Sequence, residues 1–169
     1  LGDAAPRMAL HPGSTWPTKK MPPGFWAEAI RVLRKSRPGL GVLVSWGSEE
    51  ERREAQEIRA SAGGKVEPLP RLDLMPLAAV YRECRFVMAP DTGPLHLAAA
   101  AGAGTVSVFR ATDGERNAPT GPAHRFLQAP VDCTACLRKV CERDAECRAS
   151  IRPEEVVSLM AALMNGSPG

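Results

Sequence analysis

Short apolar runs alternate with longer stretches of helical periodicity along almost the whole chain. The run RMALHPG (Arg7–Gly13) ends in a turn and predicts a first strand. PPGFWAEAIRVLRKSRPG places Phe25, Trp26, Ile30, Val32 and Leu33 at roughly helical spacing, and Arg37-Pro38-Gly39 stops that helix. LGVLVSWG (Leu40–Gly47) is continuously apolar, as a strand buried on both faces must be. SEEERREAQEIRASAGG opens on a serine cap with acids in its first turn and closes on paired glycines. KVEPLP then reads as a strand, LDLMPLAAVYREC as a helix, RFVMAP as a strand, and a further helix begins near Pro94. Gly104–Thr112 and HRFLQAP complete the strands, and 152–165 is a terminal helix with proline in its first turn. The least regular stretch is Asp113–Ser150, with a Cys-rich segment at 132–148.

Strands alternating with helices predict one α/β domain over 1–169, a Rossmann-like parallel sheet of about six strands flanked by helices. Right-handed crossovers put every strand's C-terminal end on one edge, where such sheets bind ligands. Composition changes this picture little. Hydrophobic residues make up 44% and charged residues 24%, an ordinary balance for a globular domain. No apolar run is long enough for a transmembrane helix, and LGDAAPRMAL has no secretion-signal pattern. A net charge of +3 suits a small anion but is too weak and too evenly spread for a nucleic-acid surface, and eight aromatic residues are few for stacking bases.

The candidate chemistry sits at strand ends. In APDTGPLHLAAAAG, Asp91-Thr92-Gly93 joins a strand to a helix whose exposed amides and positive dipole end make a phosphate seat. Gly93 permits close approach of a ligand and Thr92 adds a hydroxyl. The alternative is that Asp91 or Thr92 merely caps the helix and His96 is a partly buried core residue. The first strand-to-helix loop, HPGSTWPTKKMPP, offers Ser14, Thr15 and Lys19 to a diphosphate, although it lacks P-loop spacing; the alternative is a loose surface loop with solvated lysines. Glu49, after the second strand, is placed to accept from a ribose diol, but three consecutive acids also complement a helix dipole. Cys133, Cys136, Cys141 and Cys147 form C-x2-C-x4-C-x5-C, open to structural zinc, to two disulfides or to packed thiols, whereas Cys84 reads as core.

These pieces, in this order, resemble the C-terminal half of the ADP-heptose:lipopolysaccharide heptosyltransferases, the family-9 glycosyltransferases, over nearly the whole chain. The strongest part is LPRLDLMPLAAVYRECRFVMAPDTGPLHLAAAAG; KKMP matches the family's K-x-aromatic-P loop with Met21 in the aromatic place. The resemblance implies one half of a GT-B fold, in which this domain holds a nucleotide sugar. Lys19 would reach diphosphate and ribose, Glu49 the ribose hydroxyls and Asp91 the sugar. Thr92 and Gly93 would hold the diphosphate with His96 beside them, and Ser14 and Thr15 would line the phosphate loop. It further implies metal-free displacement at the anomeric carbon with Lys19 and Asp91 as the catalytic pair. The resemblance implies no required cofactor, and structural zinc at the four cysteines stays one alternative for them. The partners implied are a nucleotide-sugar donor, an N-terminal acceptor-binding domain and a lipid-linked saccharide acceptor; the location implied is cytoplasmic, with peripheral placement at the inner face of the bacterial inner membrane as an option. The expectation is that 1–169 alone binds donor and transfers poorly. The rival expectations are a stand-alone nucleotide-sugar-binding module, another GT-B or epimerase-like enzyme, and a zinc-dependent interaction domain.

Overall fold

The computed structural model describes residues 7–165. Six strands carry the fold: β1 (Arg7–Leu10), β2 (Gly41–Val44), β3 (Val66–Pro68), β4 (Phe86–Pro90), β5 (Gly104–Phe109) and β6 (His124–Gln128). All neighbours pair in parallel, in the order β3-β2-β1-β4-β5-β6. Met8 lies opposite Val42 on one side and Phe86 on the other, so β1 is central. The order reverses between β1 and β4. The chain leaving β1 turns one way and the chain leaving β4 the other, which opens a crevice at their C-terminal ends.

Two-residue alternation sends successive side chains to opposite faces. Met8, Leu10, Val42, Val44, Met88, Val106 and Val108 face α1 (Pro23–Ser36), α2 (Glu49–Ala62) and α7 (Pro153–Asn165), burying Trp26, Ile30, Ile58, Val156 and Met160. Ala9 and Val87 face the other way, against Leu77 and Tyr81 of α3 (Leu74–Arg82) and Ala98 of α4 (Gly93–Ala100). Small residues on that second face let α4 sit close to the sheet.

Ser48 caps α2 in a reciprocal box: its hydroxyl accepts from the Glu51 amide, and the Glu51 carboxylate accepts from the Ser48 amide. The predicted strand 104–112 leaves the ladder at Phe109, because Arg110–Thr112 turn their backbone and side chains to other partners. The irregular region contains two short helices that periodicity did not reveal, α5 (Gly114–Asn117) and α6 (Asp144–Ala149). A 3-10 turn at Pro17–Lys19 also went unforeseen, since one turn is too short to show a period. Among the described residues no helix is long and apolar enough to cross a membrane.

Candidate functional site

The loops leaving β1 and β4 meet across the crevice. Asp91, directly after β4, is only 7% exposed, and a buried carboxylate needs partners. Thr112, just past β5, donates its hydroxyl to Asp91 Oδ2 at 2.7 Å. Lys19, closing the 3-10 turn, puts Nζ 2.7 Å from the same oxygen. His96 Nε2 lies 4.0 Å from Asp91 Oδ1. Ser14 ties the two loops together by donating to the Asp91 carbonyl at 3.1 Å. The Lys19 ammonium also stands 4.5 Å from the centre of the Trp16 ring, within cation–π range.

The start of α4 supplies donors. Thr92 is its N-cap in extended geometry, and neither its side chain nor that of Asp91 caps the helix. Pro94 has no N–H, and the Leu95 amide is already bonded to the Thr92 carbonyl. Among the described residues the Thr92 and Gly93 amides have no protein acceptor. Two free N–H groups, a helix N-terminus and the Lys19 ammonium thus converge next to one carboxylate. That combination suits an anion with adjoining hydroxyls.

A cleft of about 490 Å³ lies between the first loop and the start of α2, lined among others by Ser14, Thr15, Lys20, Ser48, Glu50 and Glu54. Lys19, Asp91, Thr92 and Gly93 do not line it, and it meets their group at Ser14, which donates to the Asp91 carbonyl. Lys20 Nζ pairs with Glu54 at 2.6 Å and Glu50 at 3.3 Å. Burial works to lower the Lys20 pKa, but the bonds and charges of Glu54 and then Glu50 prevail and raise it, so the group stays cationic. Glu51 Oε2 accepts from the Gly47 amide at 2.7 Å. Its carboxylate lies where a side chain on Gly13 would be: a Cβ there would meet Oε1 at 2.0 Å. The structure does not bring Glu49 into this group. Its side chain is 69% exposed and pairs with Arg52 at 2.8 Å on the outside of the helix, so the cleft's acids are Glu50, Glu51 and Glu54.

Ser14, Lys19, Asp91, Thr92, Gly93 and His96 therefore gather, with Thr15 at the cleft beside them. Lys19 and Lys20 are not solvated, each side chain being 16% exposed, and His96 is an exposed residue rather than a core one. Sequence reading missed Thr112, whose place just beyond a strand adjoining β4 was the available signal. It also missed a buried chain behind the site: His11 Nδ1 lies 3.0 Å from Ser45 Oγ, which lies 2.7 Å from the Tyr81 hydroxyl. Burial first, then Glu51 opposing and Lys20 reinforcing it, brings the His11 pKa down to about 4, so that imidazole is neutral; burial raises Tyr81.

The five cysteines are free thiols, and Cys84 is buried as core. Among the described residues no group of three or more His, Cys, Asp or Glu side chains is arranged to hold a metal ion. Burial raises the Cys147 pKa, only partly offset by Arg110.

Comparison with known proteins places the chain in a family. The sequence profile of glycosyltransferase family 9 (heptosyltransferase) matches residues 2–146. Lipopolysaccharide heptosyltransferase 1 of Pseudomonas aeruginosa is 31% identical over 182 residues, which cover 97% of this chain and 50% of that protein. The Escherichia coli heptosyltransferase WaaC with ADP-2-deoxy-2-fluoro heptose superposes with a TM-score of 0.64 at 29% identity, covering 81% of this chain and 42% of the other. The same enzyme with ADP gives a TM-score of 0.77 at 24% identity over 96% and 46%. The chain spans about half the length of these relatives. With the Rossmann-like sheet, the D-T-G turn and the Lys19–Asp91 pair at its reversal point, the chain belongs to glycosyltransferase family 9, the heptosyltransferases.

Proposed function

We propose that residues 1–169 are the donor-binding half of a heptosyltransferase and that the donor is a nucleoside-diphosphate sugar, ADP-heptose by analogy with the ligands of the WaaC structures. The observation that carries this reading is the pairing of Lys19 with Asp91, 2.7 Å apart, beside the two unpartnered amides of Thr92 and Gly93. The diphosphate sits on those amides, at the positive end of α4, and takes the Lys19 ammonium as counter-charge. Asp91, freed in part from Lys19 and still held by Thr112, accepts from sugar hydroxyls. The cleft toward α2 takes the nucleoside, with Glu50 in reach of the ribose and Lys20 fixed between two acids.

In transfer the anomeric C–O bond to the diphosphate breaks while an acceptor hydroxyl attacks the same carbon. Negative charge grows on the leaving diphosphate, and Lys19 with the two amides stabilises it more strongly than in the ground state. The acceptor's proton goes to a base outside this chain. The acceptor is a lipid-linked saccharide of lipopolysaccharide assembly, held by a second domain at the inner face of the membrane. Titration with ADP-heptose and with GDP- and UDP-sugars tests the reading. Saturable binding with preference for the adenine nucleotide supports it, and the absence of binding to every nucleoside diphosphate refutes it.

A further inference from the structure

Lys19 is fixed from both sides by residues that no motif marks. On one side, buried Thr18 donates its hydroxyl to the Arg138 carbonyl at 2.6 Å. On the other, the Lys20 carbonyl accepts from Arg110 Nη1 at 2.6 Å. Arg110 is 1% exposed, and its second terminal nitrogen donates to the Asp144 carbonyl at 3.0 Å and pairs with the Asp144 carboxylate, which also pairs with Arg148. Arg138 and Asp144 both belong to the Cys-rich region, and from it Lys139 Nζ comes within 5.1 Å of the Trp16 ring that Lys19 also approaches. That region is in turn anchored to the end of β5. The Ala135 and Leu137 amides donate to the Arg110 and Ala111 carbonyls, and both residues adopt left-handed backbone, at φ 55° and 57°. Such conformations persist where the surroundings over-determine them.

We propose that Arg110 is a positioning residue for the donor site, and that with Thr18 it makes the Cys-rich region a brace that aims Lys19 at the diphosphate. The inference rests on the donor-site reading above. Only a planar guanidinium can hold the Lys20 carbonyl and Asp144 at once; a single ammonium cannot span them. A charged group this deeply buried, bonded to a loop carbonyl, fixes that carbonyl tightly. The four thiols need no metal for this role, because the brace acts through backbone carbonyls, Arg110 and Asp144.

The test is ADP titration of the wild-type chain, Arg110→Lys, Thr18→Val, and each combined with Lys19→Met. Thr18→Val leaves the buried guanidinium in place and keeps the experiment informative should Arg110→Lys fail to fold. The expected result is about a tenfold loss of ADP affinity for Arg110→Lys and a loss of several-fold for Thr18→Val, with neither adding to the loss caused by Lys19→Met, as for residues that act through a shared group. Unchanged ADP affinity in both single variants overturns the inference, and so do losses that add fully to that of Lys19→Met, the signature of a merely structural role. A wild-type chain that binds no ADP refutes the donor-site reading itself, a result distinguishable from either.

Discussion

Replacing Lys19 by methionine keeps most of the side-chain stem and deletes the charge, which separates two effects. In the free chain the ammonium lies 2.7 Å from Asp91 Oδ2, with both side chains largely buried. The gross attraction at that distance is about 6 kcal/mol for an effective dielectric of about 20. Desolvation and side-chain ordering cancel most of it, leaving a net folding loss of about 1–3 kcal/mol, because Asp91 keeps Thr112 as a partner. For donor binding, a charge-assisted bond to a diphosphate oxygen contributes about 1.5–3 kcal/mol, or about 10- to 150-fold in Kd. Lys19 must be drawn from Asp91 to make it, so the lower end of that range is expected. Asp91→Asn should act in the opposite sense on ADP: with its competitor weakened, Lys19 is free for the diphosphate, and ADP affinity holds or rises. Calorimetric titration with ADP at low and moderate salt measures both, and Lys19→Met should also flatten the salt dependence. ADP affinity within about twofold of wild type for Lys19→Met would refute the assignment, since that is far below one charge-assisted bond.

Two further predictions concern the scaffold behind the site. Because the folded chain holds His11 neutral down to about pH 4, the unfolded chain alone binds that proton as pH falls through 6.5. Stability is therefore full above pH 6.5 and declines toward pH 4 by up to about 3 kcal/mol from this group, and His11→Asn should remove that slope in denaturant titrations run across the range. Gly13→Ala should displace the Glu51 carboxylate from its cap and cost about 1–2 kcal/mol, with no added cost in a Glu51→Ala background, as thermal melts of the four chains can determine.

Much of the fold was legible because the central strands β1 and β4 are buried along nearly their whole length and read as short apolar runs, and because caps such as Ser48 and stops such as Pro38-Gly39 mark the helix ends. The D-T-G turn could be placed at the ligand edge from topology alone. What could not be read was orientation within a known element. Three acids open α2, and a helix rotates about 100° per residue, so the phase that turns Glu50 to the cleft and Glu49 to Arg52 is set by packing. Nor does spacing show how the four thiols of the Cys-rich region are disposed. Arg110 is the clearest case: a charged residue at a strand end is ordinarily exposed, and its burial depends on a segment more than thirty positions later folding back over it.

In the proposed complex a diphosphate seats on the amides opening α4. Amide-resolved NMR of the isotopically labelled chain during addition of ADP tests it most directly. The account predicts saturable shifts of the Thr92 and Gly93 amide resonances that track occupancy and shrink when adenosine replaces ADP. Saturation of the chain by ADP with both resonances unmoved would contradict it.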